Sequence, residues 1–160
     1  MSQFFNTSIG VPMSSGQVCR AIVDFMKEDR DSQYNITLGT DSEKASDDTA
    51  DFVTAIVVHR IGRGARYFWR RIGGDEKYHT LRTRITREVT ISLEMAQAFL
   101  LEMGELESPK YDFAIHLDIG ENGATRTMIQ ELVGMIRGYN FNVKIKPDSY
   151  AATNVADKHV

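Results

Sequence analysis

The chain has 160 residues, 42% of them hydrophobic and 26% charged, and carries a net charge of −3. That composition is ordinary for a folded protein, so disorder is not the expectation, and the length suits one globular domain that buries about two thirds of its unfolded surface. No run approaches the roughly 18 apolar residues that span a bilayer, and the single cysteine, Cys19, excludes an internal disulfide framework or a cysteine-built zinc site.

Residues 1–13 are polar and irregular, and they lack the basic and apolar regions of a signal peptide. Together with the cysteine usage this sets the cytoplasm as the expected compartment. Ser14 and Ser15 are the N-cap choices for a helix running to about Asp29, in which Cys19 shares an apolar face with Val18, Ile22, Phe25 and Met26. Tyr34–Leu38 alternates as a strand, which Gly39 is expected to stop. The polar, acidic stretch from Ser42 to Asp51 reads as a loop. Phe52–Ile61 and Ala65–Ile72, joined through Gly62 and Gly64, read as a hairpin.

A long helix is expected from about His79 to Met103, with apolar residues at helical spacing. Asp112–Ile119 is a strand closed by Gly120-Glu121-Asn122-Gly123. A helix over 124–137, a strand over 141–145 and a short helix over 150–159 complete the chain. Three successive strands followed by alternating helices and strands predict an α/β fold. Its sheet would be mixed and five-stranded, antiparallel first and parallel later, with helices on both faces and an extra N-terminal helix. The whole chain reads as one domain.

Four acids stand out. Asp41 follows the first strand and Asp118 sits near the end of a later one. If those strands are parallel neighbours, both carboxylates leave the sheet at its carboxyl edge, where open α/β sheets bind ligands. On the long helix, at about 100° per residue from Ile85, Glu88 falls near 300°, beside the apolar stripe. Glu94 falls near 180°, on the far side. An inward acid is costly unless paired or bound to a cation, and Arg84, four residues earlier, offers the ordinary pairing. Asp157 alone reads as a surface acid, and Asp148 as a turn or N-cap residue. His59, His79 and His116 show no ligand spacing.

The charge is uneven. Arg60–Arg87 holds nine Lys or Arg residues against two acids, +7 by count. The stretch is either a solvated face or a polyanion-binding one, with Arg66, Arg70, Arg71, Lys77, Arg82 and Arg84 as its expected contacts.

The segments Gly39–Ser42 (GTDS), Thr80–Glu94, His116–Ile136 and Ile145–Val160 together resemble the ribonuclease H-like YkuK family, over almost the whole chain. The resemblance implies a ribonuclease H-like three-layer fold. It also implies the four acids of that fold's nucleases, matched by Asp41, Glu88, Asp118 and Asp157 as catalytic and metal-binding residues. Two Mg²⁺ or Mn²⁺ ions would sit about 3.5–4 Å apart, Asp41 bridging them, and phosphodiester hydrolysis would follow by in-line displacement. The partner implied is nucleic acid, not a membrane. Rival readings are a nucleic-acid-binding module with an idle metal site, an interaction protein that dimerises through the N-terminal helix, and a nucleotide hydrolase.

Overall fold

The structure is a computed structural model that describes residues 4–160; the first three residues of the predicted irregular segment lie outside the described residues. The chain forms β1 (Phe4–Thr7), β2 (Pro12–Ser14), α1 (Ser15–Lys27), β3 (Tyr34–Lys44), β4 (Ala50–Arg60), β5 (Ala65–Ile72), α2 (Leu81–Gly104), β6 (Asp112–Leu117), α3 (Ile129–Gly138) and β7 (Asn142–Lys144). A short helical turn, Arg126–Met128, leads into α3. The C-terminal segment is one wide π-helical stretch, Ala151–Ala156, tightening into a last turn over Asp157–His159.

The strands make one mixed sheet in the order β2-β1-β5-β4-β3-β6-β7. β3, β4 and β5 are antiparallel neighbours, whereas β6 runs parallel to β3 and β7 parallel to β6. The sheet therefore has seven strands rather than the five expected. The two extra ones come from the segment read as irregular, where Phe4–Asn6 pairs with Pro12–Ser14 and β1 continues onto β5. Strands of four and three residues around Gly10 are too short to show a period.

Boundaries also differ. β3 does not stop at Gly39 but runs on to Lys44, so Asp41 lies inside a strand and the predicted loop shrinks to a tight connection before Ala50. Gly39 serves a different purpose. A Cβ there would lie 2.6 Å from the backbone nitrogen of Ala152 and 2.8 Å from its Cβ, closer than real atoms approach. Glycine thus lets the C-terminal segment lie directly on the strand. α1 starts as expected, with Ser14 and Gln17 completing a capping box.

Alternation divides β3 between two faces. Ile36 and Leu38 join Ile56, Val58, Phe68, Ile115 and Leu117 in the main core, against Ile22 and Met26 of α1, Val89, Ala96, Phe99 and Met103 of α2, and Leu132 and Ile136 of α3. Gly39 and its neighbour Ala55 face the other way, where Val53, Ala55 and Ala156 form a small second cluster edged by Trp69, Val155 and Val160. The apolar residues of α1, Cys19 included, are buried within the chain. Burial pushes the Cys19 thiol up to about 12, with Glu102 beside it acting in the same direction. No helix among the described residues is long and apolar enough to cross a membrane.

Candidate functional site

β3 and β6 align so that Thr40 stands opposite Leu117. The next residue on each chain is an aspartate. Asp41 is inside β3, and Asp118 comes directly after the last residue of β6. Two carboxylates thus stand side by side just past the point where the parallel pairing of β3 with β6 ends. The C-terminal segment passes over the same face and brings a third, since Asp157 opens the last turn and shares a side-chain hydrogen bond with Asp41.

Asp41 is only 7% exposed. Desolvation, the hydrogen bond with Asp157 and the nearby charge of Asp118 push its carboxyl up to about 7, and the Ser42 backbone N–H (2.9 Å) only partly opposes them. A hydrogen bond between two carboxyls requires one of them to keep its proton. Asp118 is held by two donors on one oxygen: Thr153 Oγ1 at 3.1 Å and Lys146 Nζ at 3.1 Å.

Glu88 is 3% exposed and Glu94 is exposed, as the helix angle requires. Glu88 does not pair directly with Arg84. Its carboxylate accepts from the Ser42 hydroxyl, and Arg84 donates to both the Ser42 carbonyl and the Ser42 Oγ at 2.9 Å. Burial holds the Glu88 carboxyl well above the usual carboxylate range. Asp41 and Asp118 push it the same way, while Ser42 and Arg84 pull against them. Consecutive strand residues point to opposite faces, so Glu88 meets Ser42 on the α2 face while Asp41 meets Asp157 on the other.

The structure therefore gathers Asp41, Asp118 and Asp157 on one face and sets Glu88 across β3. Among the described residues, no group of three His, Cys, Asp or Glu side chains is set to hold a metal ion. Nor does any Lys, Arg or His among them lie within ion-pair distance of Asp41 or Glu88.

Other predicted residues fall elsewhere. His116 is fully buried, accepts from the Ala151 N–H at 3.1 Å, and is driven down to about 4 by burial, so it stays neutral. His79 contacts Asp48 at 3.2 Å. Asp148 is the turn residue expected, its N–H donating to the Ile145 carbonyl at 2.8 Å; Ser149 begins the C-terminal segment, its carbonyl accepting from Ala152 and Thr153.

The basic stretch does not form one face. Arg66 stacks on Phe25 and Arg70 lies over Phe5, on the α-helical side of the sheet. Arg71 points to the opposite side, donating to the His159 carbonyl and standing 3.7 Å from Asp51. Lys77 is tied to the Asp47 carbonyl at 2.7 Å, Arg82 pairs with Glu131, and Arg84 is spent on Ser42. Alternation along β5 separates what the linear count adds together. Phe68 is buried in the core, while Tyr67 and Trp69 enclose His159, the indole stacked on the imidazole at 4.3 Å.

Lys146, Thr153 and the bridging role of Ser42 escaped the sequence reading. Ser42 opened the stretch read as a loop, whereas it lies inside β3, two residues before the strand ends. Lys146 had none beyond Gly120, whose lack of a side chain leaves room for its stem.

The fold and site define an α/β protein with acids gathered at the carboxyl edge of a mixed sheet. The model of a family described as ribonuclease H-like matches residues 17–160, and the chain belongs to that family. It is also 34% identical over 165 residues to an uncharacterised protein, YkuK, of Bacillus subtilis (strain 168), a match that covers 97% of this chain and 95% of that protein. No solved structure matches the chain.

Proposed function

We propose that the chain is a divalent-metal-dependent nuclease that hydrolyses phosphodiester bonds, with Asp41, Glu88, Asp118 and Asp157 as its acids. One observation carries this reading: Asp41 is buried beside Asp118 and Asp157, and no Lys, Arg or His among the described residues lies within ion-pair distance of it. Such a group is costly as it stands and is relieved by a cation.

The donor set fits Mg²⁺ or Mn²⁺, because it offers only carboxylate and hydroxyl oxygens, the ligands that hard cations take. No three of the described side chains are set for one ion, and a site of one or two carboxylates completed by water and substrate oxygens is what Mg²⁺ ordinarily takes. When bound, the metal would supply an activated water and neutralise charge developing at phosphorus. The chain's own residues do the rest. Ser42 orients Asp41 through its N–H and Glu88 through its hydroxyl, Arg84 fixes Ser42, and Thr153 orients Asp118. Arg71, which donates to the His159 carbonyl two residues beyond Asp157, is one basic residue that would contact a phosphate backbone.

The test is cleavage of labelled single-stranded, duplex and RNA–DNA hybrid substrates with Mg²⁺ or Mn²⁺. The nuclease reading requires metal-dependent cleavage of at least one substrate, lost in Asp41→Asn. Cleavage that Asp41→Asn leaves intact, or none at all, defeats it. One feature favours a second reading, a nucleic-acid-binding module without catalysis: Lys146 already neutralises Asp118. Binding of the same substrates without cleavage, unaffected by chelation, would support that one.

A further inference from the structure

Lys146 is held at Asp118 by more than the reach of a flexible side chain. Its backbone N–H donates to the Ile119 carbonyl at 2.9 Å, which pins the residue beside the end of the strand that presents Asp118. Its stem lies along Gly120, where a Cβ would come within 3.1 Å of Lys146 Cβ and 3.5 Å of Cδ. Any larger residue at position 120 would press on the stem, so the glycine clears the path by which Nζ reaches Asp118 Oδ1 at 3.1 Å. Thr153 donates to the same oxygen. Among the described residues, Asp118 is thus the one acid of the four with a cation at ion-pair distance, while Asp41 and Glu88 are buried without one.

We infer that Lys146 takes the place of one of the two metal ions that the fold's nucleases use, an inference that rests on the metal-dependent nuclease reading above. The chain then binds a single divalent ion on the Asp41 side. The Lys146 ammonium is the second positive charge, placed beside Asp118 where a substrate phosphate would meet it. A primary ammonium is a compact, strongly hydrated point charge suited to that position. Nothing is transferred or oxidised. Lys146 acts as a positioning residue that sets the number of ions the acids can hold.

The experiment counts ions. Mn²⁺ binding is measured by titration calorimetry and native mass spectrometry for the wild type, Lys146→Met, Lys146→Gln, Lys146→Arg and Asp41→Asn. The side chain of Lys146 is 47% exposed, so the neutral replacements are compatible with folding, and Lys146→Gln serves if Lys146→Met misfolds. One Mn²⁺ is expected for the wild type and Lys146→Arg. The neutral variants should take up a second ion or bind Mn²⁺ about tenfold or more tightly. Two ions on the wild type, or neutral variants that match it in both number and affinity, overturn the inference and leave metal dependence standing. Mn²⁺ binding unchanged in Asp41→Asn, or absent from every variant, overturns the metal reading itself and this inference with it.

Discussion

The two faces of the central sheet are built on different terms. The α-helical face is filled by large side chains: Ile36, Leu38, Ile56, Ile115 and Leu117 against Met26, Val89, Phe99 and Ile136. The opposite face is lined by Gly39, Ala55, Ala151, Ala152 and Ala156, small enough for the C-terminal backbone to lie on the strands. The first face buries most apolar area, and so most of the hydrophobic stabilisation. The second gives up volume for closeness, and closeness is what brings Asp157, some 116 residues from Asp41 along the chain, to its carboxyl. A site can be assembled where packing is thin because the other face supplies the stability.

The difference can be broken from either side. Leu38→Ala leaves a cavity in the main core and should cost about 2–5 kcal/mol, read by urea unfolding. Gly39→Ala, the very next residue, acts by overpacking. Its Cβ meets the Ala152 backbone, and a loss of about 1–3 kcal/mol is expected. Hydrogen exchange should locate that loss in residues 151–160, with the amides of α2 unaffected. If both substitutions loosen the same elements, the two faces are not independent.

Asp41→Asn probes the thinner face through pH. The folded-state pKa of Asp41, about 7, lies above the 3.8 of an ordinary aspartate. Between those values the unfolded chain has lost a proton that the folded chain keeps, so wild-type stability falls as pH rises through that window. The variant lacks this loss. Without metal it should be more stable than the wild type at pH 7 by on the order of 1 kcal/mol after allowance for solvent screening, and show no such advantage at pH 4. Thermal melts of both proteins across that range would check it.

The smallest effect lies away from both faces. Arg82 and Glu131 form an ion pair in which each side chain is more than half exposed, so Arg82→Ala should change stability by less than about 1 kcal/mol.

How much could be read beforehand follows from the range of each signal. Glu88 was legible because helix periodicity is local, and Asp41 and Asp118 were legible because each stands at the end of an apolar alternation. Asp157 carried no local signal and came only with the resemblance of the last segment. Gly39 was misread as a strand stop, since its cause is Ala152, far along the chain. The β1–β2 hairpin was missed because strands so short show no period and depend on pairing with β5. The basic stretch misled because charge was counted along the chain, whereas alternation on β5 sends Arg70 and Arg71 to opposite faces.

On the proposed reading, the acids on the thinner face bind a divalent cation through Asp41. The most direct measurement is the melting temperature at pH 7 as Mn²⁺ is titrated into the wild type and Asp41→Asn. A ligand that binds only the folded state raises it with concentration. A saturating rise of several degrees is expected for the wild type and little or none for Asp41→Asn. A flat wild-type titration, or an equal rise in both proteins, would contradict it.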